Sequence, residues 1–348
     1  MQALRWMGRE SVNVADVAMP DLKPGQVLVK VAYCGICGSD LEEFWHGPVM
    51  LPVAVHPLSG RQVPLTLGHE AAGVVAALGP ATGTRVSVGQ KVSLESMRSC
   101  GRCQYCQEGT DYLCENLVCM GLQDDGAMAE YVAVPAWACH PMPDDMPFQA
   151  GAMAEPLSVV VHAWNIAALG RGDEAVIFGA GMIGLGLVRM AARNGVRVMV
   201  VEPDPARRAL AREFGADADF TPGDRLPALG AQGAFECAGR MDALQQGIEA
   251  VRKGGRVVAV GIHGASAPFD PNPLIVKQVA LFGSVGNSRH DYHTSFEWVR
   301  EDFRILKRLI GRVVTLDEVD QLGFQRAGDP LPGPKVQVAI GGDRVAAG

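Results

Sequence analysis

Residues 175–195 read AVIFGAGMIGLGLVRMAARNG, and the fold class turns on them. The opening residues are an apolar strand, and the run from Met182 onward has the apolar spacing of a helix. Between them lies Gly179-Ala180-Gly181-Met182-Ile183-Gly184, a G-x-G-x-x-G pattern. Alone the pattern is weak, because any glycine-rich turn can produce it. Set between a strand and a helix, each glycine acquires a separate job. Gly179 makes the tight turn, Gly181 lets backbone approach a pyrophosphate, and Gly184 lets helix pack on strand. The N–H groups of the helix start, where Met182 and Ile183 stand, then meet the phosphate charge.

Beyond that helix, the next strand, VRVMVV, ends at Glu202. A carboxylate there accepts hydrogen bonds from the adenosine ribose and repels a 2′-phosphate, which favours NAD over NADP. Arg207 and Arg208 lie close by and could serve a phosphate instead, although a solvated helix face also accounts for them. Strands and helices go on alternating through PARRALAREFGA, GAFECAG, a helix from MDALQQGIEAVRK, GRVVAVGI and QVALFGSVG. Such alternation predicts right-handed βαβ units on a parallel sheet. The carboxyl ends of its strands face the cofactor crevice, so Val260, Gly261, Ile262, Ser284 and Val285 are expected to line the nicotinamide half. Sheet packing alone would also explain them.

The first 150 residues have a different texture. Short strands such as VLVKVAY, AAGVVAAL, GQKVSL and AEYVAVP are separated by Gly, Pro and turns, which predicts a β-rich, barrel-like domain. At 348 residues the chain is too long for one small core. We therefore expect a domain over 1–150, a second over 151–287 and a final segment over 288–348, which includes a helix from SFEWVREDFRILKRLI and the strand-like KVQVAIGG. A net charge of −7 argues against a nucleic-acid surface. No apolar run approaches a membrane span and the start lacks a signal peptide, so a cytosolic protein is expected.

In that compartment nine cysteines are expected to stay reduced. Four fall in SCGRCQYCQEGTDYLC: Cys100, Cys103, Cys106 and Cys114, in a lobe near 95–116. Polar residues fill the gaps and mark an exposed loop rather than a core. Four thiolates so closely spaced can surround a structural Zn²⁺ with no position left open. An iron–sulfur cluster is the lesser alternative. The stretch YCGICGSD, 33–40, poses a different question, since Cys34 and Cys37 could be a redox dithiol, half of a zinc site, or one ligand beside a bystander. A hydride carrier needs a partner that activates the substrate oxygen. Cys37, the pair His69–Glu70 in LGHEAAG and Glu155 in AEPLS are the candidates, because a catalytic zinc takes three such ligands and leaves one position open.

GICGSD, GHE, the four-cysteine lobe, AEP and GAGMIG, in that order, resemble the zinc-dependent medium-chain dehydrogenase/reductase family along nearly the whole chain. The resemblance implies a GroES-like β-barrel catalytic domain, a Rossmann domain and a C-terminus that returns to the catalytic part. It implies one catalytic and one structural Zn²⁺, NAD, and an alcohol or ketone substrate. Within the family the run GSDLEEFWHGPVMLP…HPLSG…PLTLGHE looks most like butanediol and sorbitol dehydrogenases, which act on secondary alcohols with a neighbouring hydroxyl or carbonyl. By this resemblance Cys37 and His69 are zinc ligands, Cys34 is a buried bystander, and Glu70 and Glu155 compete for the third place. Ser39 matches the hydroxyl that takes the substrate proton. Relatives commonly carry a histidine where Glu42 stands, so the next relay step falls to Glu42 or to water. The expected assembly is a homodimer or homotetramer.

Within the family a pathway-specific dehydrogenase of a cyclitol, sugar or amino alcohol competes with this reading. A zinc-organised binding module without catalysis is more distant, since it has no need of Cys37, His69 and GAGMIG together.

Overall fold

The computed structural model describes residues 1–348 except 84, 228–229, 265, 327–332 and 341–348. The expected C-terminal segment is thus partly outside the described residues, as are the last two glycines of KVQVAIGG. Two compact units form, one on Met1–Glu155 with most of the described chain from Ser288 onward, the other mainly on Pro156–Asn287. No helix among the described residues is long and apolar enough to cross a membrane.

In the first unit a seven-stranded sheet runs in the order Ile310–Thr315, Lys335–Ala339, Gln26–Ile36, Glu70–Leu78, Lys91–Leu94, Cys139–Pro141, with Tyr131–Pro135 also paired to Gln26–Ile36. Gln26–Ile36 shows why the sheet is one-sided at first. Val27, Val29 and Val31 point into the core while Lys30 is exposed, which is the period of a half-buried strand. From Tyr33 to Ile36 the alternation stops and Cys34, Gly35 and Ile36 are all buried. Lys335–Ala339 pairs antiparallel with this buried end, with Val336 opposite Ile36, and is itself buried throughout. The C-terminal chain is therefore part of this unit's sheet. Ile310–Thr315 joins Lys335–Ala339 in parallel, a strand not expected from the sequence.

The second unit is a six-stranded, wholly parallel sheet in the order Ala218–Phe220, Arg197–Val201, Glu174–Phe178, Ala231–Glu236, Val251–Ala259, Ala280–Gly283. Its central strands are apolar on both faces because helices cover both, as in Glu174–Phe178, where Ala175 to Phe178 are all buried. Strand order reverses between Glu174–Phe178 and Ala231–Glu236, the switch point at which such sheets bind ligands. One boundary differs from expectation. The helix Met241–Ala250 stops short of Val251-Arg252-Lys253, which open the strand Val251–Ala259. Val251 lies opposite Ala231 and is almost fully buried, so pairing overrides helical periodicity there.

Candidate active site

Cys37 is the N-cap of the helix Gly38–His46, and its backbone N–H donates to Asp40 Oδ2 at 2.9 Å. Next to it, His69 immediately precedes the strand Glu70–Leu78, which Glu70 opens, paired to Gly35. Gly35 is obligatory, since a Cβ there would run into the Glu70 carboxylate. The possible ligand atoms of Cys37, His69 and Glu70 all lie within 4.8 Å of one another. Three buried polar atoms at this spot have no hydrogen-bond partner among the described residues: His69 Nδ1, Glu70 Oε2 and Asp40 Oδ1. A thiol, an imidazole and a carboxylate gathered this closely, with Glu70 Oε2 orphaned among them, fit a Zn²⁺ ion.

The surrounding groups tune this set. Asp40, fully buried, has its pKa raised by burial, and its Oδ1 lies 3.9 Å from His69 Nδ1. Burial works to lower the His69 pKa, but Asp40, Cys119 and Cys37 outweigh it and lift the imidazole well above its usual range. The hydroxyl of Ser39 lies 3.4 Å from His69 Nε2. Cys34 is wholly buried, with its thiol pKa pushed up by burial, as befits a packing residue. Lys335, which sequence reasoning missed, buries its ammonium between Ile36 O at 3.0 Å and Glu70 Oε1 at 2.6 Å. Glu155, on the helix Phe148–Ala167, lies outside the three-residue cluster and accepts from Ser96 Oγ at 2.8 Å. Burial raises its pKa, with His69 opposing and Glu70 reinforcing the shift.

Glu42 is half-buried and has no hydrogen-bond partner among the described residues. Its neighbour Glu43 is instead fully buried, accepting from the N–H groups of Val49 at 2.9 Å, Leu51 at 3.1 Å and Met50. Two adjacent glutamates thus have opposite fates, set by helix phase.

The four-cysteine lobe is a second cluster. Its sulfurs also lie within 4.8 Å of one another. Cys103 Sγ is 3.5 Å and Cys100 Sγ 3.9 Å from Cys106 Sγ, close to the roughly 3.8 Å edge of a tetrahedron with Zn–S bonds of about 2.3 Å. Backbone N–H donors, Arg102 first, lower the Cys100 thiol to about 6, whereas burial lifts Cys114 to about 12. A turn that already donates backbone N–H groups to sulfur favours thiolates, the form that binds metal.

In the second unit the glycine loop is built as its spacing requires. Gly179 has φ +94°, and a Cβ at Gly184 would collide with Gly179 O. Beside Gly181, the N-cap of the helix Met182–Asn194, a Cβ would meet nothing within 4 Å, which leaves room for a phosphate. Met182 and Ile183 are half-buried at that helix start. Glu202 is buried and accepts from Ala180 N–H at 2.7 Å and Asp204 N–H at 3.0 Å, so it is locked against the glycine loop. Arg208 is committed to Glu202 O, Pro203 O and Asp219, while among the described residues Arg207 reaches only Asp204, at 3.8 Å. At the strand ends Val260 and Gly261 donate N–H bonds to Glu236 O. Ile262 and Val285 are exposed there, and Ser284 is buried with its hydroxyl unpartnered.

Residues 23–144 match the alcohol dehydrogenase GroES-like domain, and residues 183–301 match the zinc-binding dehydrogenase domain. An (R,R)-butanediol dehydrogenase of Neisseria gonorrhoeae is 32% identical over 339 residues, 94% of this chain and 95% of that protein. The chain belongs to the zinc-dependent medium-chain dehydrogenase family. A 2-dehydro-3-deoxy-L-galactonate 5-dehydrogenase of Pseudoalteromonas atlantica is 31% identical, over 95% of this chain and 96% of that protein. The crystal structure of a 2R,3R-butanediol dehydrogenase from Bacillus subtilis superposes with a TM-score of 0.89 at 29% identity, covering 97% of this chain and 99% of that one. Membership makes the protein a zinc-dependent alcohol or polyol oxidoreductase with a GroES-like and a Rossmann-type unit. Lys335 carried one sequence signal, a lysine heading a strand of mostly apolar residues, but nothing local named its partner.

Proposed function

We propose that this dehydrogenase oxidises a secondary alcohol bearing a neighbouring hydroxyl or carbonyl, with NAD as hydride acceptor and zinc held by Cys37, His69 and Glu70. The observation that carries the reading is the convergence of those three ligand atoms within 4.8 Å, with Ser39 Oγ beside the imidazole. Bound there, zinc would supply Lewis acidity toward a substrate hydroxyl. Ser39 takes the hydroxyl proton. Glu42, one helical turn further along Gly38–His46, is the next acceptor toward water. Asp40 orients His69 by its Nδ1 side, in the usual arrangement of a carboxylate behind a ligating imidazole. Glu155, tethered by Ser96, stands by as an alternative carboxylate. Cys100, Cys103, Cys106 and Cys114 hold a second, structural zinc.

On the cofactor side Gly179, Gly181 and Gly184 admit the pyrophosphate against the start of Met182–Asn194. Glu202 faces the adenosine ribose and selects NAD, and Val260 to Ile262 with Ser284 and Val285 flank the nicotinamide. The exposed edge strand Ala280–Gly283 supports a homodimer or homotetramer as part of this reading.

A sugar acid is the second substrate reading, favoured by the likeness to the galactonate-type enzyme. Measuring NADH formation with a panel of vicinal diols, polyols and sugar acids separates the two. Turnover of diols above sugar acids is the expected result. Silence on every secondary alcohol, with both zinc sites loaded, would sink the proposal.

A further inference from the structure

Glu236 is the last residue of the strand Ala231–Glu236, which pairs with the glycine-loop strand Glu174–Phe178, and it is fully buried. A buried carboxylate is costly unless the fold uses it. This one gathers two turns at the carboxyl ends of adjacent parallel strands. Its Oε1 accepts from Ala238 N–H at 2.7 Å and Arg240 N–H at 3.2 Å, fixing the turn after Ala231–Glu236. Its backbone oxygen accepts from Val260 N–H at 2.8 Å and Gly261 N–H at 3.0 Å, fixing the turn after Val251–Ala259. Its Oε2 has no hydrogen-bond partner among the described residues, yet lies 3.3 Å from Nε2 of His263 on the second turn, an imidazole only 22% exposed.

The two turns interlock so closely that neither has room for a side chain at the contact. A Cβ on Gly261 would come within 2.9 Å of Glu236 Oε2, and one on Gly239 would strike Ile262 O. The first turn also reaches the glycine loop: Cys237 N–H donates to Phe178 O at 2.8 Å, and a Cβ on Gly179 would lie 3.2 Å from Ala238. Glu202 marks the adenosine side, beyond Glu174–Phe178. Glu236 and His263 lie across the switch point from it, on the side left for the nicotinamide.

We propose that Glu236 and His263 form a positioning pair for the nicotinamide half of the dinucleotide. The inference rests on the dinucleotide reading of this unit. Glu236 ties both turns by its fixed bonds, and His263 supplies the one contact that Oε2 otherwise lacks. Together they hold Val260 to Ile262 in the conformation that receives the ring. Neither residue touches the reacting atoms.

The test compares two ligands that differ only at that end. NADH carries the nicotinamide and ADP-ribose does not. In zinc-loaded, full-length protein, His263→Ala is expected to weaken NADH binding about tenfold, the worth of a charge-assisted contact, and to leave ADP-ribose binding within about twofold. Glu236→Gln should show the same split, and His263→Gln, which keeps a donor toward Oε2, should recover most of the NADH affinity. Unchanged NADH binding in His263→Ala overturns the proposal. So does a parallel loss of NADH and ADP-ribose, which would make the pair a general brace of the unit. Failure of the unmodified protein to bind ADP-ribose would overturn the dinucleotide reading itself, and the pair's role with it.

Discussion

Lys335 reaches across 265 positions of sequence to place its ammonium 2.6 Å from Glu70 Oε1, and both side chains are almost wholly buried. Burial works to lower the lysine pKa, but Glu70 and Cys37 outweigh it and raise it, so the ammonium stays charged. One oxygen of Glu70 thus belongs to the C-terminal strand, and the other has no hydrogen-bond partner among the described residues, as the proposed zinc ligand requires. Lys335→Met strands a buried carboxylate, at a cost of about 3–5 kcal/mol. The loss is expected to be smaller in zinc-loaded protein, where the ion shares the charge. Urea unfolding with and without zinc measures both numbers. An equal loss in the two states would show that metal and lysine do not share Glu70.

Metal content follows from two separate ligand sets. Elemental analysis is expected to find two zinc ions per chain. Cys106→Ser should keep one and lose stability, because a structural zinc contributes directly to folding. Cys37→Ala should also keep one, with turnover abolished and NADH binding nearly intact. One zinc in the unmodified protein would remove one of the two assignments.

Metal removal should depend on pH with a definite sign. The folded pKa of His69 lies above its ordinary value, so its contribution to zinc-free stability is full below about pH 6.5 and is lost as pH rises through the folded value. Glu155, also raised, acts in the same direction. Bound zinc requires the ligands deprotonated and removes that slope. The gap in Tm between loaded and chelator-treated protein is therefore expected to widen from about pH 6 to about pH 8. A gap that narrows over this range would contradict the assignment of His69.

Cofactor choice should follow Glu202. A 2′-phosphate beside a buried carboxylate brings like charges together, disfavouring NADP by a few kcal/mol, roughly a hundredfold or more. Glu202→Ala is expected to narrow the ratio of kcat/KM for NAD over NADP. Since Arg208 is already engaged by Asp219 and backbone oxygens, Arg207 is the residue that could take over. Equal efficiency with both cofactors in the unmodified protein would show that it has.

What the sequence disclosed, and what it hid, divides along the range of the interactions involved. The glycine loop is legible because strand, turn and helix start are contiguous, and the cysteine lobe because four cysteines fall within fifteen residues, Cys100–Cys114. Lys335 was hidden because its meaning lies in a partner on another strand. The end of the helix at Ala250 was hidden too, since Val251-Arg252-Lys253 continues a helical pattern until pairing with Ala231 claims it. Glu236 lies in a stretch read only as a strand and His263 just past the end of another, and the contact between two such ends has no signature in either.

Glu42 is where sequence and geometry leave the sharpest test. It stands three positions past Ser39 on the same helix, half-buried and without a hydrogen-bond partner among the described residues, while Glu43 holds the loop at 49–51. A proton leaving Ser39 needs a group that can accept and release it, and residues three apart on a helix are neighbours. The help of Glu42 should show most in acid, where hydroxide is scarce, and fade in alkali. Glu42→Gln is expected to slow alcohol oxidation a few-fold to about tenfold near pH 6, less than loss of a direct acid–base residue, and to leave NADH affinity unchanged. Glu43→Gln should instead lower stability, because three backbone donors lose a charged acceptor. A pH–rate profile of Glu42→Gln that overlays the unmodified enzyme would take Glu42 out of the relay and leave the step after Ser39 to water.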